Sequence, residues 1–300
     1  MLNMSRMGER LFLGLTAVCA LGTGGLLLAI VGVLCAEATP AIRAFGGHFL
    51  VGQVWNPVQG QYGILPQVWG TVLTAGLSLS LAVPLGVGVA IGLTESWAHI
   101  SPVWQGAVAG AVEVLAAIPS VVYGLWGIFI LIPALRTAQQ LLPQVFGGAT
   151  IGPSVGVASL VLAVMILPTV AAVARSSLAQ VPQEYRWAAM AVGATRWETL
   201  LGILLPAARA GISAGILLAL ARALGETMAV TMLIGNANRV STSLWQAGST
   251  IPSLLANQFA EAQGMQVAAL MYAALVLLGV TVVVQLVARM GTGFFADSHQ

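Results

Sequence analysis

The sequence has no lysine, and all eleven of its basic residues are arginine. That absence excludes the lysine of a phosphate-cradling GxxxxGK[ST] loop, so the chain is not itself a Walker-type ATPase. It also excludes Schiff-base chemistry on lysine. Charge of either sign is scarce: only 7% of the 300 residues are Asp, Glu, Lys or Arg. A soluble domain carries roughly a quarter. The formal net charge of +2 is too small to point to a nucleic-acid partner. Cys19 and Cys35 both fall in the first apolar segment, with no CxxC and no metal-ligand spacing. They read as small hydrophobes facing the membrane. His48, His99 and His299 share no spacing and read as solvated loop or tail positions. HExxH, a Ser–Lys pair and GxSxG are all missing, which argues against an intramembrane enzyme. No catalytic residue and no metal ligand is expected.

What is present is apolar. Hydrophobic residues make up 58% of the chain, and the mean hydropathy is +0.94. Repeated runs of about 20 apolar residues predict an all-α, polytopic membrane protein. Six transmembrane helices are expected, near 11–35, 68–93, 106–132, 154–174, 210–234 and 267–288. On this reading residues 1–66 hold the first span and an external loop, 67–290 a core of five spans, and 291–300 a tail. Ala36-Glu37-Ala38 resembles a small-residue cleavage site, but the preceding run of twenty-five apolar residues exceeds the ~7–15 of a signal-peptide core, so a retained helix is expected. Residues 37–66 read as a loop with short interfacial pieces, and 133–153 as a Gly/Pro-rich loop. Ile118-Pro119-Ser120 interrupts the third span. Within 237–266, a polar loop, 244–262 reads as amphipathic, either interfacial or touching an external partner.

The arginines predict an orientation. With an internal N-terminus, Arg6, Arg10, Arg175, Arg186, Arg196, Arg209 and Arg289 lie inside. Arg43, Arg136 and Arg239 lie outside, and Arg222 lies within the membrane. Seven against three follows the positive-inside rule and puts both termini in the cytoplasm.

Two stretches carry function. The first, residues 217–236, is long and apolar enough to cross a bilayer, yet holds Arg222 and Glu226 near its middle. An ionisable side chain at that depth costs at least ~2.5–3.5 kcal/mol, so it needs a partner, a wet cavity or a task. Spacing of four predicts one helix face for both residues. They are either a structural ion pair or a charged element on a translocation path. Thr227 and Asn236 either line such a path or make interhelical hydrogen bonds. Glu113 is the other acidic group in a span, and Met228 and Met232 read as core packing.

The second stretch is 180–206, which is amphipathic. Pro182 suits a first helical turn, and Gly193 is placed to end that helix in a left-handed conformation. Thr195 and Glu198 have the spacing of a capping box that starts a second helix, and Pro206 is expected to end or bend it. Such a knuckle fits a groove on a soluble partner. Equally, it describes an amphipathic loop on the membrane with Trp187 and Trp197 as interfacial anchors.

Ala188-Ala189, Gly193 and Leu205-Pro206, with Ile203, resemble the coupling loop of ABC importer permeases, EAA–x3–G–x9–I–x–LP. Trp187 stands where that family has glutamate, which removes one polar contact and leaves the two-helix geometry. Trp55-Asn56-Pro57, residues 62–66 (YGILP), Gly70-Thr71, residues 113–124 (EVLAAIPSVVYG), residues 222–230 (RALGETMAV) and Ile234-Gly235-Asn236 narrow the likeness. Together they resemble the C-type permeases of the phosphate-specific transport (Pst) system over roughly 54–289.

That resemblance implies a type I ABC importer permease in the bacterial inner membrane, an ATP-driven phosphate transporter subunit. Its partners would be a second permease in a heterodimer, two ATP-binding subunits, an extracytoplasmic phosphate-binding protein and membrane lipid. ATP would be used by the ATPase, with no cofactor in this chain. Arg222 would present positive charge to phosphate and Glu226 would hold and neutralise it, with Thr227, Asn236 and Glu113 along the path. Arg186, Trp187, Ala188, Ala189, Gly193, Thr195, Glu198, Leu205 and Pro206 would meet the ATPase. The competing readings are a permease for sulfate or molybdate, and a passive anion channel.

Overall fold

A computed structural model describes residues 2–95, 102–141, 151–240 and 243–297, with side chains at 12–95, 103–141, 151–240 and 243–290. His99 and His299 lie outside them. The chain is helical almost throughout, and six helices are long and apolar enough to cross a membrane.

Helix α1 covers Leu2–Phe45 and packs along the last helix. It runs ten residues past the predicted end at Cys35, so the expected loop begins only after Phe45. Ala36-Glu37-Ala38 is helical, and Ala38 and Ala41 are fully buried. Packing by these small residues carries the helix onward through Pro40. A short α2 (His48–Val51) and a hairpin of β1 (Trp55–Asn56) with β2 (Gln61–Tyr62) follow. His48 is exposed. Phe45, Phe49, Trp55, Tyr62 and Tyr272 form one aromatic cluster there. The Trp55 indole donates to Gln258 at 2.6 Å, and the Tyr272 hydroxyl to the Gly46 carbonyl at 3.2 Å. The polar edge of the buried Trp55 ring thus has a partner.

Helix α3 (Leu65–Thr94) passes back across. The predicted third span is two pieces: α4 (Pro102–Ala117), then, after a break at Ile118–Pro119, α5 (Ser120–Trp126). A π-helical turn at Gly127–Leu131 joins α5 to α6 (Ile132–Leu141). The part long enough to span is Ser120–Leu141, so the helix enters what was expected to be loop; residues 142–150 lie outside the description.

Helix α7 (Val155–Ala179) begins at Ser154, whose hydroxyl accepts from the Val157 N–H. It is the central helix, most of it buried between α3 and α10 (Leu205–Gly225). Its run of Ala, Gly, Ser and Val gives neighbours close approach, which drives helix association in lipid. Between them lie α8 (Gln183–Ala191), α9 (Arg196–Thr199) and a second π-helical turn at Leu200–Leu204. Pro206 neither ends nor starts a separate helix: the span is continuous over Arg196–Gly225. Proline lacks an N–H and its ring crowds the carbonyl four residues back. Here the preceding N–H, at Leu205, reaches Leu200 five residues back. The same widening precedes Pro133, where the Ile132 N–H bonds Gly127. The wider turn accommodates both rings.

Helix α11 (Met228–Leu233) follows a break at Glu226–Thr227. The stretch 217–236 is therefore not one helix. The predicted amphipathic segment 244–262 is a loop followed by α12 (Ile251–Gln258), and Ile251, Pro252, Ser253 and Leu254 are buried. It threads into the bundle instead of lying on its surface, because its backbone closes the ends of α7 and α11. The Val155 and Gly156 N–H groups bond Gln246 and Leu244, and the Gly248 N–H bonds Ile234. Helix α13 (Met265–Asp297) is the final element among the described residues.

Candidate functional site

The two interrupted spans meet. Helices α5 and α11 pack together: a side chain on Gly124 would strike Met232, and one on Gly127 would strike Leu233. Tyr123 is buried at this junction, and its hydroxyl donates to the Leu115 carbonyl across the break at 2.7 Å. In an unbroken helix that carbonyl would accept from residue 119, but Pro119 has no N–H. Tyr123 supplies the missing donor. It went unassigned from sequence, although a proline four residues after Leu115 announces an orphan carbonyl.

Arg222 sits in the last turn of α10, with an exposed side chain, near enough to Tyr123 to act electrostatically on its hydroxyl. Its height follows from helix register. A side chain on Gly211 would meet Ser177, and one on Gly215 would meet Val173, so α10 and α7 run antiparallel in step. Arg222 lies eleven residues after Gly211, level with Ile166 eleven before Ser177. Ile166 adjoins the midpoint of α7. The guanidinium is therefore at mid-bundle.

Glu226 is not on the Arg222 helix face. It caps α10 with extended backbone (φ −68°, ψ 122°), and its carboxylate accepts from the Ala229 N–H at 3.3 Å, in the first turn of α11. A carboxylate there offsets the positive end of the helix. Among the described residues, Arg222 makes no ion pair with Glu226. The spacing of four misled because the helix ends between the two. Thr227 donates to the Gly225 carbonyl at 3.1 Å, helping to close the same break. Asn236 has left-handed backbone (φ 51°) and its amide donates to the Thr231 carbonyl at 2.9 Å, so it closes the end of α11 instead of bridging helices. Glu113 is exposed on α4, one turn before the other break. Met232 packs against α5 as expected, whereas Met228 is exposed.

The 180–206 loop is built as its local sequence dictates. Pro182 precedes α8 as its cap, Gly193 has φ 82°, and Thr195 and Glu198 form a reciprocal capping box that starts α9. Trp187, Ala188, Trp197 and Glu198 are exposed, while Ala189 is buried. Leu205 and Pro206 stand where the π-helical turn runs on into α10. Arg186 departs from expectation: it turns into the bundle and pairs with Glu95 at 2.7 Å. Glu95 was not singled out from sequence, because its partner is 91 residues away. Leu93, Arg175, Gln183, Met190, Arg196 and this pair line a cavity of about 540 Å³ behind the loop.

Residues 82–292 match the model of the family described as "Binding-protein-dependent transport system inner membrane component". The phosphate transport system permease protein PstC of Haemophilus influenzae is 40% identical over 294 residues, covering 94% of this chain and 92% of that protein. Two solved structures share the fold. One is the MetNI methionine ABC transporter in inward-facing conformations, with TM-score 0.57 and 18% identity over 76% of this chain and 94% of that chain. The other is a bacterial ABC transporter involved in importing the acidic polysaccharide alginate, with TM-score 0.59 and 16% identity over 96% of this chain and 100% of that chain. The type I importer-permease fold anticipated from the motifs is thus the fold found. The chain belongs to the binding-protein-dependent transport system inner membrane components and, within them, to the PstC phosphate transport permeases.

Proposed function

We propose that this chain is one of two membrane subunits of an ATP-driven importer of inorganic phosphate. A member of this family is a transport subunit, not an enzyme. The observation that carries the proposal is Arg222, an exposed guanidinium level with the middle of the bundle. Lipid against that side chain would be costly, so a wet path or a second permease covers it. A guanidinium offers phosphate a planar fork of donors and a charge that no accessible pH removes. Glu226 is engaged with the start of α11, so the arginine keeps its charge for a passing anion. A single cation makes a waypoint, not a cage, and the ion leaves as readily as it enters. The substrate is taken from the relative whose name specifies phosphate transport.

In the complete transporter a second permease completes the path, and two ATP-binding subunits engage the exposed face of the 180–206 loop. An extracytoplasmic binding protein delivers phosphate to the opposite end. In the bacterial inner membrane, the arginine distribution supports a cytoplasmic position for the loop and both termini. The test is uptake of labelled phosphate into proteoliposomes holding all subunits, with sulfate and molybdate as competitors. ATP-dependent uptake that neither competitor blocks is expected. Preferential uptake of sulfate or molybdate would overturn the substrate, and uptake without ATP would point to a passive channel.

A further inference from the structure

Arg186 lies on a loop whose Tyr185, Trp187, Trp197 and Glu198 are exposed, yet its own side chain is only 14% exposed. It donates through Nη2 to Glu95 Oε1 at 2.7 Å and through Nε to Oε1 and Oε2 at 3.2 and 3.4 Å. Its remaining donors reach the Val181 carbonyl from Nη1 at 2.9 Å and the Leu178 carbonyl from Nη2 at 3.3 Å. Glu95 is the cap of α3, and Leu178 and Val181 lie where α7 ends. Helix ends leave carbonyls without intrahelical donors, and the guanidinium supplies them. One side chain of α8 therefore grips the ends of two spans that pack along each other.

We propose that Arg186 and Glu95 form a rigid strut that carries displacement of the 180–206 loop into α3 and α7. The planar fork makes it stiff: a lysine has no geometry for a bidentate carboxylate and two further carbonyls at once. The route continues to Arg222, since α10 packs on α7 in fixed register. Arg186 is thus a positioning residue, not a contact with the ATPase. The pair is partly buried, so salt screens it less than it would an exposed ion pair. This inference rests on the reading that the loop meets an ATP-hydrolysing subunit.

The experiment measures ATP hydrolysed per phosphate imported by the full reconstituted complex. The variants are Glu95→Gln, Arg186→Gln, Arg186→Lys and the Gln/Gln double. Hydrolysis should persist while the ratio rises by about tenfold in Glu95→Gln, the effect of losing one charge-assisted hydrogen bond. It should rise further in Arg186→Gln, and Arg186→Lys should fall between Arg186→Gln and the parent. The double variant should be no worse than Arg186→Gln, because both changes break one element. An unchanged ratio in the single variants, with or without a loss of assembled complex, would overturn the strut. So would a double-variant ratio equal to the product of the two single effects. A parent complex that imports phosphate without hydrolysing ATP would defeat the functional reading itself, and is recognised before any variant is made.

Discussion

The chain interrupts two spans, at Ile118–Pro119 and at Glu226–Thr227, and closes the two wounds differently. At the first, a missing proline N–H leaves the Leu115 carbonyl to the Tyr123 hydroxyl. At the second, no proline is involved: the Glu226 carboxylate takes the Ala229 N–H and Thr227 binds the Gly225 carbonyl. Both obey the same demand, that backbone polar groups away from water find partners inside the protein. Proline is neither necessary nor sufficient for a break. Pro84 and Pro168 lie inside continuous helices, and Pro133 and Pro206 follow π-helical turns that make room for them.

The comparison can be broken by experiment. Tyr123→Phe leaves a carbonyl without its donor and should cost about 1–3 kcal/mol, read as a lower unfolding midpoint in detergent. Pro119→Ala in the same background restores an N–H opposite Leu115 and should recover part of the loss. If Tyr123→Phe is neutral, the first break is not closed by that hydroxyl. Gly193→Ala, remote from both breaks, should cost about 1–2 kcal/mol through its left-handed backbone alone, since no atom crowds the site. Glu226→Gln keeps an acceptor and loses the charge at the start of α11, worth about 0.3–1 kcal/mol. A larger loss, reversed by Arg222→Gln, would restore the ion pair that the sequence spacing implied.

What could be read from sequence was local. Gly193 and the Thr195/Glu198 box concern neighbours within four residues, and they fold as expected. Six apolar helices and the Ile118–Pro119 interruption were legible for the same reason. The Arg222/Glu226 geometry was not, because it assumed an unbroken helix, and the break is made by side chains that substitute for helical bonds. Helix α1 outran its apolar run because Ala38 and Ala41 pack against the bundle, a tertiary effect. Glu95 and Arg186 look like ordinary charges at the edge of a span and on a loop until the fold brings them together.

The central claim is that Arg222 serves the passing anion and not the fold. Phosphate uptake by the reconstituted transporter carrying Arg222→Gln tests it most directly, with subunit assembly measured on the same sample. Loss of uptake from an intact complex is the predicted result. Parental uptake by that variant would contradict the account and remove Arg222 from the path.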